Sequence, residues 1–220
     1  MKRILLFISL LVLLISCETH HTPVVESQEE EFTSKLRSVT YGTPGKPTLL
    51  LVGDSRVALW PDNFFADDFQ VTNIGVGGTV AAFSAFAIQA QTKRYDYIII
   101  STGVNDHMNN YDYPETIYAL GCCIIQAKAK SSNVFITTIP GTIANPNGTE
   151  TGISYQACQV NSYISWLADM HNVPVIPLAE LLCGGSMSIN PAYDDGSGIH
   201  YNMTAYQLIY ELYMSFLQPE

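Results

Sequence analysis

Four short polar blocks interrupt an otherwise apolar chain, and each carries side chains able to do chemistry. The first is Gly53-Asp54-Ser55, directly after the apolar run Leu49–Val52. A serine is a poor nucleophile until a base takes its proton and donors stabilise the oxyanion it creates. The remaining blocks offer such partners. Gly75, Gly77 and Gly78 open the backbone for close approach and expose N–H groups ahead of a helix. Their G-x-G-G spacing differs from the G-x-G-x-x-G of a dinucleotide loop. Asn105, in Gly103-Val104-Asn105-Asp106-His107, presents an amide suited to an oxyanion. Asp194-Asp195-Gly196-Ser197-Gly198-Ile199-His200 supplies a candidate base in His200, with His107 as its rival. His20 and His21 stand in a polar stretch and read as solvated, and His171 falls at the end of an amphipathic helix. No G-x-S-x-G elbow occurs, which excludes the common α/β-hydrolase arrangement.

The elements that must position these blocks follow from apolar periodicity. Strands are expected at Thr48–Val52, Phe69–Asn73, Tyr97–Ser101, Val134–Ile139 and Val173–Pro177. Unbroken β-branched runs such as Ile98-Ile99-Ile100 suit strands covered on both faces. Helices are expected near Val80–Lys93, Pro114–Lys130, Ser154–His171 and Met203–Leu217. Val160, Ile164, Leu167 and His171 share one helical face, as do Ala205, Leu208, Leu212 and Phe216. Alternating strands and helices imply right-handed βαβ units in an α/β fold with a parallel sheet. Ligands in such folds bind beyond the carboxyl ends of the strands, where three of the four blocks fall.

Taken in order, GDS after the first strand, a Gly-rich turn after the second, G-x-N-D after the third and a late His before the final helix resemble the SGNH (GDSL-type) hydrolase family. The resemblance runs from Thr48 to Leu217. It implies a three-layer αβα sandwich around a five-stranded parallel sheet in flavodoxin-like order. It also implies Ser55 as nucleophile and His200 as base. The oxyanion hole would be the N–H groups of Ser55 and Gly78 and the Asn105 amide. The chemistry would be two-step acyl transfer, with no metal or cofactor. One position departs from the pattern. The acid usually stands three residues before the histidine, where this chain has Ser197. Asp195 is the expected acid, brought to His200 Nδ1 by a bulge at Gly196 and Gly198. Asp194, a dyad without an acid and an inactive site are the alternatives.

The N-terminus has its own signature. Lys2 and Arg3 precede an apolar run from Ile4 to Ile15, too short for the roughly 20 residues of a spanning helix and suited to a signal peptide over 1–16. Leu14-Ile15-Ser16-Cys17 resembles a bacterial lipobox, which implies lipidation of Cys17 and a membrane-tethered protein outside the cytoplasm. Residues 17–47 read as a flexible tether, polar and lacking a period, and 48–220 as the hydrolase domain. A net charge of −10 argues against nucleic acid as a partner. Cys122, Cys123, Cys158 and Cys183 permit a disulfide but have no C-x-x-C spacing. The loops at 106–113, 141–152 and 184–198 are rich in Asn, Gly, Thr and Tyr, with Tyr111, Tyr113 and Tyr193 available for stacking. They suit short acyl esters on a glycan or another small molecule better than long lipid chains. An O-acyltransferase with the same site and a non-catalytic glycan-binding lipoprotein are the competing readings. Arg56 is a candidate contact for an anionic substrate or a partner for a nearby carboxylate.

Overall fold

The structure is a computed structural model that describes residues 31–143 and 150–217. The expected signal peptide over 1–16 and Cys17 lie outside the described residues. Two compact units divide the chain, Met1–Leu36 and Arg37–Glu220. Of the first, residues 31–35 form a short helical stretch with a Lys35–Glu31 ion pair of 2.6 Å.

The second unit carries a six-stranded sheet flanked by helices. The strands are β1 (Val39–Gly42), β2 (Thr48–Gly53), β3 (Gln70–Asn73), β4 (Tyr97–Ser101), β5 (Asn133–Thr137) and β6 (Val175–Ile176). Their order is β1-β3-β2-β4-β5-β6. All neighbours pair in parallel except β1, which pairs antiparallel with β3 through Val39↔Asn73 to Gly42↔Gln70. The five parallel strands reproduce the expected flavodoxin-like order. The sixth corrects the reading of residues 17–47 as tether throughout, because Val39–Gly42 closes the sheet edge. Its burial is slight on both faces, so the signal that marks a core strand is missing from its sequence.

The helices are α1 (Ser55–Ala58), α2 (Ala81–Gln89), α3 (Val104–Met108), α4 (Tyr113–Lys130), α5 (Glu150–His171), α6 (Leu178–Cys183) and α7 (Met203–Phe216). A 3₁₀ turn covers Pro191–Tyr193. Local chemistry starts α4 and α7 close to where expected, whereas α5 begins at Glu150, ahead of Ser154. Asp112 accepts from the Glu115 N–H (3.0 Å) while Glu115 accepts from the Asp112 N–H (3.1 Å), a capping box, and Pro114 occupies the first turn. Asn202 caps α7 through the Ala205 N–H at 3.0 Å. α2, α4 and α5 pack together, whereas α7 joins a separate apolar cluster built on Leu49, Leu51, Val71, Ile99 and Phe135. Alternate residues along the strands therefore serve the two helical layers.

The buried stripe of α7 is rotated from the expected one. Ala205, Tyr206, Ile209 and Tyr213 are buried, and Leu212 and Phe216 only margin the cluster. The cause is aromatic. Trp60 stacks on Tyr213 (5.4 Å, 5°) and on Phe65 (5.3 Å, 14°), and meets Tyr206 edge-on (5.4 Å, 79°). Each such pair contributes roughly 0.5–1.5 kcal/mol beyond area burial. This packing seats α7, and the loop before it, against the segment that follows Ser55.

Candidate active site

β2 ends by passing very close to β4. A Cβ at Gly53 would lie 2.1 Å from the Ser101 carbonyl oxygen and 2.4 Å from Val57 Cγ2, so only glycine lets the strand turn straight into α1. Asp54 is the buried N-cap, accepting from the Arg56 N–H at 3.0 Å. Ser55 is thus the first residue of α1, where a backbone N–H has no carbonyl to reach in its own helix. Its side chain meets the expected base: His200 Nε2 lies 3.0 Å from Ser55 Oγ.

The Gly-rich turn lies beside this pair. A Cβ at Gly77 would be 3.8 Å from Ser55 Cβ, and at Gly78, with φ +74°, no atom lies within 4 Å. Asn73, not singled out from the sequence, binds the turn to α1. Its amide donates to the Val57 carbonyl (2.8 Å) and its oxygen accepts from the Gly75 N–H (2.9 Å). Asn105 is buried and donates one amide N–H to the Thr79 carbonyl at 2.9 Å, leaving its second for a ligand. Asp106 caps the start of α2 through the Ala81 N–H at 2.9 Å. Asn73 at the end of β3 and Asn105 just after β4 thus hold the turn that carries Gly78 at its two ends, Gly75 and Thr79.

Arg56 spends its guanidinium on backbone carbonyls rather than on a carboxylate hydrogen bond. It is buried, and it donates from Nε to the Ile199 carbonyl (2.9 Å), from Nη1 to Pro140 (2.7 Å) and from Nη2 to Gly141 (3.2 Å). Its guanidinium also sits 5.0 Å over the Tyr201 ring. The residue after Ser55 thus holds the backbone beside His200. Tyr206 completes the clamp, its hydroxyl donating to the Arg56 carbonyl at 2.9 Å.

The acid is where expectation and structure part. Ser197, not Asp195, lies against His200 Nδ1, with Oγ at 3.2 Å. Local hydrogen bonding explains the difference. Asp194 accepts from the N–H groups of Gly196 (2.9 Å) and Gly198 (2.8 Å), and Asp195 accepts from the Ser197 N–H (2.9 Å). Both carboxylates serve the loop's own backbone, as Asp readily does. Gly196 and Gly198, at φ +102° and +76°, fold the loop tightly around them. The bulge exists, but it delivers a hydroxyl to the imidazole.

The rival His107 is buried, and neither ring nitrogen finds a partner among the described residues. Burial pulls it down to about 4, which unsuits it as a base near neutrality. Burial also raises the Asp54 carboxyl, an effect opposed by Arg56. Asp106 is pushed up to about 7, chiefly by burial and further by Asp54, against the lowering effect of the Ala81 N–H. Since its folded pKa exceeds its unfolded one near 3.8, Asp106 favours folding at low pH and progressively less as pH rises toward 7. Asp106→Asn keeps the acceptor for Ala81 and removes the charge. It should therefore stabilise the fold at pH 8, on the order of 2–4 kcal/mol, with little change at pH 4. Thermal melts at the two pH values check this; a variant no more stable at pH 8 contradicts it.

Of the tyrosines expected to rim the site, Tyr113 stacks on Tyr163 (6.0 Å, 16°) and Tyr193 packs against the core cluster. Residues 144–149 of the second rim loop lie outside the described residues. A cavity of about 390 Å³, lined in part by Cys158, Glu180 and Cys183, includes neither Ser55 nor His200. No disulfide joins the described cysteines. Among the described residues, no group of three or more His, Cys, Asp or Glu is placed to hold a metal ion, and no helix is long and apolar enough to cross a membrane.

Comparison with known proteins gives this geometry a context. No curated protein sequence matches the chain. Among solved structures, a GDSL-like lipase from Bacteroides thetaiotaomicron superposes with a TM-score of 0.68 at 16% identity, covering 86% of this chain and 95% of that one. A lipase/acylhydrolase from Enterococcus faecalis gives 0.63 at 20% identity, over 79% and 98%. A variant of an acetyl xylan esterase from Geobacillus stearothermophilus gives 0.63 at 14%, over 82% and 97%. These likenesses establish the fold. The model of the GDSL-like lipase/acylhydrolase family matches residues 38–208, a span that contains Ser55, Gly78, Asn105 and His200. The chain belongs to the GDSL-like lipase/acylhydrolase family.

Proposed function

We propose that this chain is a serine ester hydrolase that removes short acyl groups, acetyl above all, from carbohydrate or other small esters. The observation that carries the reading is the 3.0 Å contact between Ser55 Oγ and His200 Nε2, beside a Gly-rich turn and a half-free Asn105 amide. In the first step Ser55 Oγ bonds to the ester carbonyl carbon as its proton passes to Nε2. The carbonyl electron pair moves onto oxygen, which the N–H groups of Ser55 and Gly78 and the Asn105 amide receive. Collapse breaks the C–O bond to the alcohol, which leaves with the proton from Nε2. Water then attacks the acyl-enzyme, giving a proton to Nε2, and the carboxylic acid departs as Ser55 recovers its hydrogen.

Two features support a short acyl group. The described part of the expected rim at Met108–Tyr111 is polar apart from Met108, and Asn109, Asn110 and Tyr111 are not buried. An acetyl xylan esterase shares the fold. A panel of p-nitrophenyl esters from acetate to decanoate, run beside acetylated xylo-oligosaccharides, tests the reading. Acetate should exceed decanoate in kcat/KM by at least about tenfold, since each methylene that lacks a pocket forfeits its share of binding. Preference for decanoate, or no turnover of any ester, would overturn it.

The lipobox-like Leu14-Ile15-Ser16-Cys17 supports a second part of the proposal, that the domain works at the cell envelope on a lipid anchor at Cys17. Cys17→Ser in full-length protein should move it from the membrane fraction to the soluble fraction. Retention on the membrane would contradict the anchor.

A further inference from the structure

A cavity much smaller than the one beside Cys158 lies among the carboxyl ends of three strands. Asp54 directly follows β2, Ser101 ends β4 and Thr137 ends β5, and all three line it together with Arg56, Thr102 and Tyr201. Its volume is about 10 Å³, close to the least that admits one water molecule.

Two features set what such a cavity can hold. The first is Tyr201, which is 6% exposed and whose hydroxyl has no hydrogen-bond partner among the described residues. The Arg56 guanidinium lies 5.0 Å over its ring and gives its N–H groups to the Ile199, Pro140 and Gly141 carbonyls. Burial pushes the phenol well above its ordinary range, so the hydroxyl keeps its proton and needs an acceptor. A buried O–H that finds none destabilises the fold, because the water it bonded in the unfolded chain is lost.

The second is the character of the walls. Asp54 uses Oδ1 for the Arg56 N–H at 3.0 Å, and an ionised carboxylate has about four acceptor positions. That carboxyl disfavours an anion, and the Arg56 guanidinium disfavours a cation. Ser84 Oγ donates to Thr102 Oγ1 at 3.0 Å, so the Thr102 hydroxyl still has its own proton to give. A neutral ligand that both accepts and donates fits these walls, and at this volume that ligand is water.

We infer that one structural water occupies this cavity, accepting from the Tyr201 hydroxyl and donating to the Asp54 carboxyl. Buried waters typically make about three hydrogen bonds, and the Thr102 hydroxyl supplies the third. The bridge joins the N-cap of α1, which presents Ser55, to the residue after His200. It ties together the same two segments that Arg56 links through the Ile199 carbonyl. Neither the cavity nor the Tyr201 hydroxyl depends on which reaction the site performs.

Two measurements on the whole protein test the water site, and neither requires ester turnover. A high-resolution crystal structure should show one ordered water within hydrogen-bond distance of Tyr201 Oη and the Asp54 carboxyl. Tyr201→Phe keeps the ring under Arg56 and removes only the hydroxyl. With the water bound, the variant loses a satisfied hydrogen bond, and urea titration should give an unfolding equilibrium constant about two- to tenfold larger than wild type. Without it, the same change deletes a buried hydroxyl that has no partner, and the protein becomes more stable. The sign of the shift therefore decides. A urea midpoint that rises or stays in place would overturn the site, and so would a cavity clear of density in a crystal that orders other buried waters.

Discussion

Replacing Ser55 with alanine is expected to lower kcat for ester hydrolysis by about 10⁶-fold, and His200→Ala by about as much, while the double variant loses no more than either alone. The expectation follows from the 3.0 Å contact that makes the two side chains one unit: without Nε2 the hydroxyl keeps its proton, and without the hydroxyl Nε2 has no nucleophile to activate. Neither change should unfold the protein. Ser55 occupies the first helical position of α1, which alanine fills readily, and Asp54 rather than Ser55 supplies the cap. Melting temperatures within a few degrees of wild type, beside lost turnover, check this. Equal turnover in Ser55→Ala would show that another group does the chemistry.

The second large effect belongs to Arg56 and falls on stability and activity alike. Arg56→Met removes three charge-assisted donors and leaves the carbonyls of Pro140, Gly141 and Ile199 facing an apolar chain. Each buried unpaired acceptor costs about 1–3 kcal/mol, so an unfolding free energy lower by about 3 kcal/mol or more is expected in urea titrations. Because Ile199 precedes His200, kcat should also fall, on the order of 10²-fold, through a base held about 1 Å out of place. Arg56→Lys keeps the charge but lacks the planar fork that reaches three carbonyls, so it should fall between. Unchanged urea midpoints would mean that the loops at 140–141 and 199 are held by other contacts.

These expectations show which parts of the molecule local sequence can carry. Ile98-Ile99-Ile100 and Leu49–Val52 announce their strands because both faces of each are buried. Edge strand β1 has no such pattern, and its Val39-Thr40-Tyr41-Gly42 pairs with β3 because a partner edge is available. The rotated face of α7 is equally non-local, decided by the ring of Trp60 about 150 residues earlier. Within the candidate site, the meeting of Ser55 with His200 is legible because one follows the first strand of the parallel set and the other precedes the last helix. Asn73, Asp106 and Arg56 are harder to read, since their work is to bind one strand-end loop to another. The acid is misread for a specific reason: spacing places Asp195 near His200, but only the backbone shows that Asp194 and Asp195 are occupied by N–H groups of Gly196, Ser197 and Gly198.

The account turns on Ser55 being a nucleophile activated by His200, and a fluorophosphonate probe with peptide mass spectrometry tests that directly. The wild type should take up one equivalent on the peptide carrying Ser55, Ser55→Ala none, and His200→Ala far more slowly. A wild type that resists the probe, or a Ser55→Ala variant that labels as fast, would contradict it.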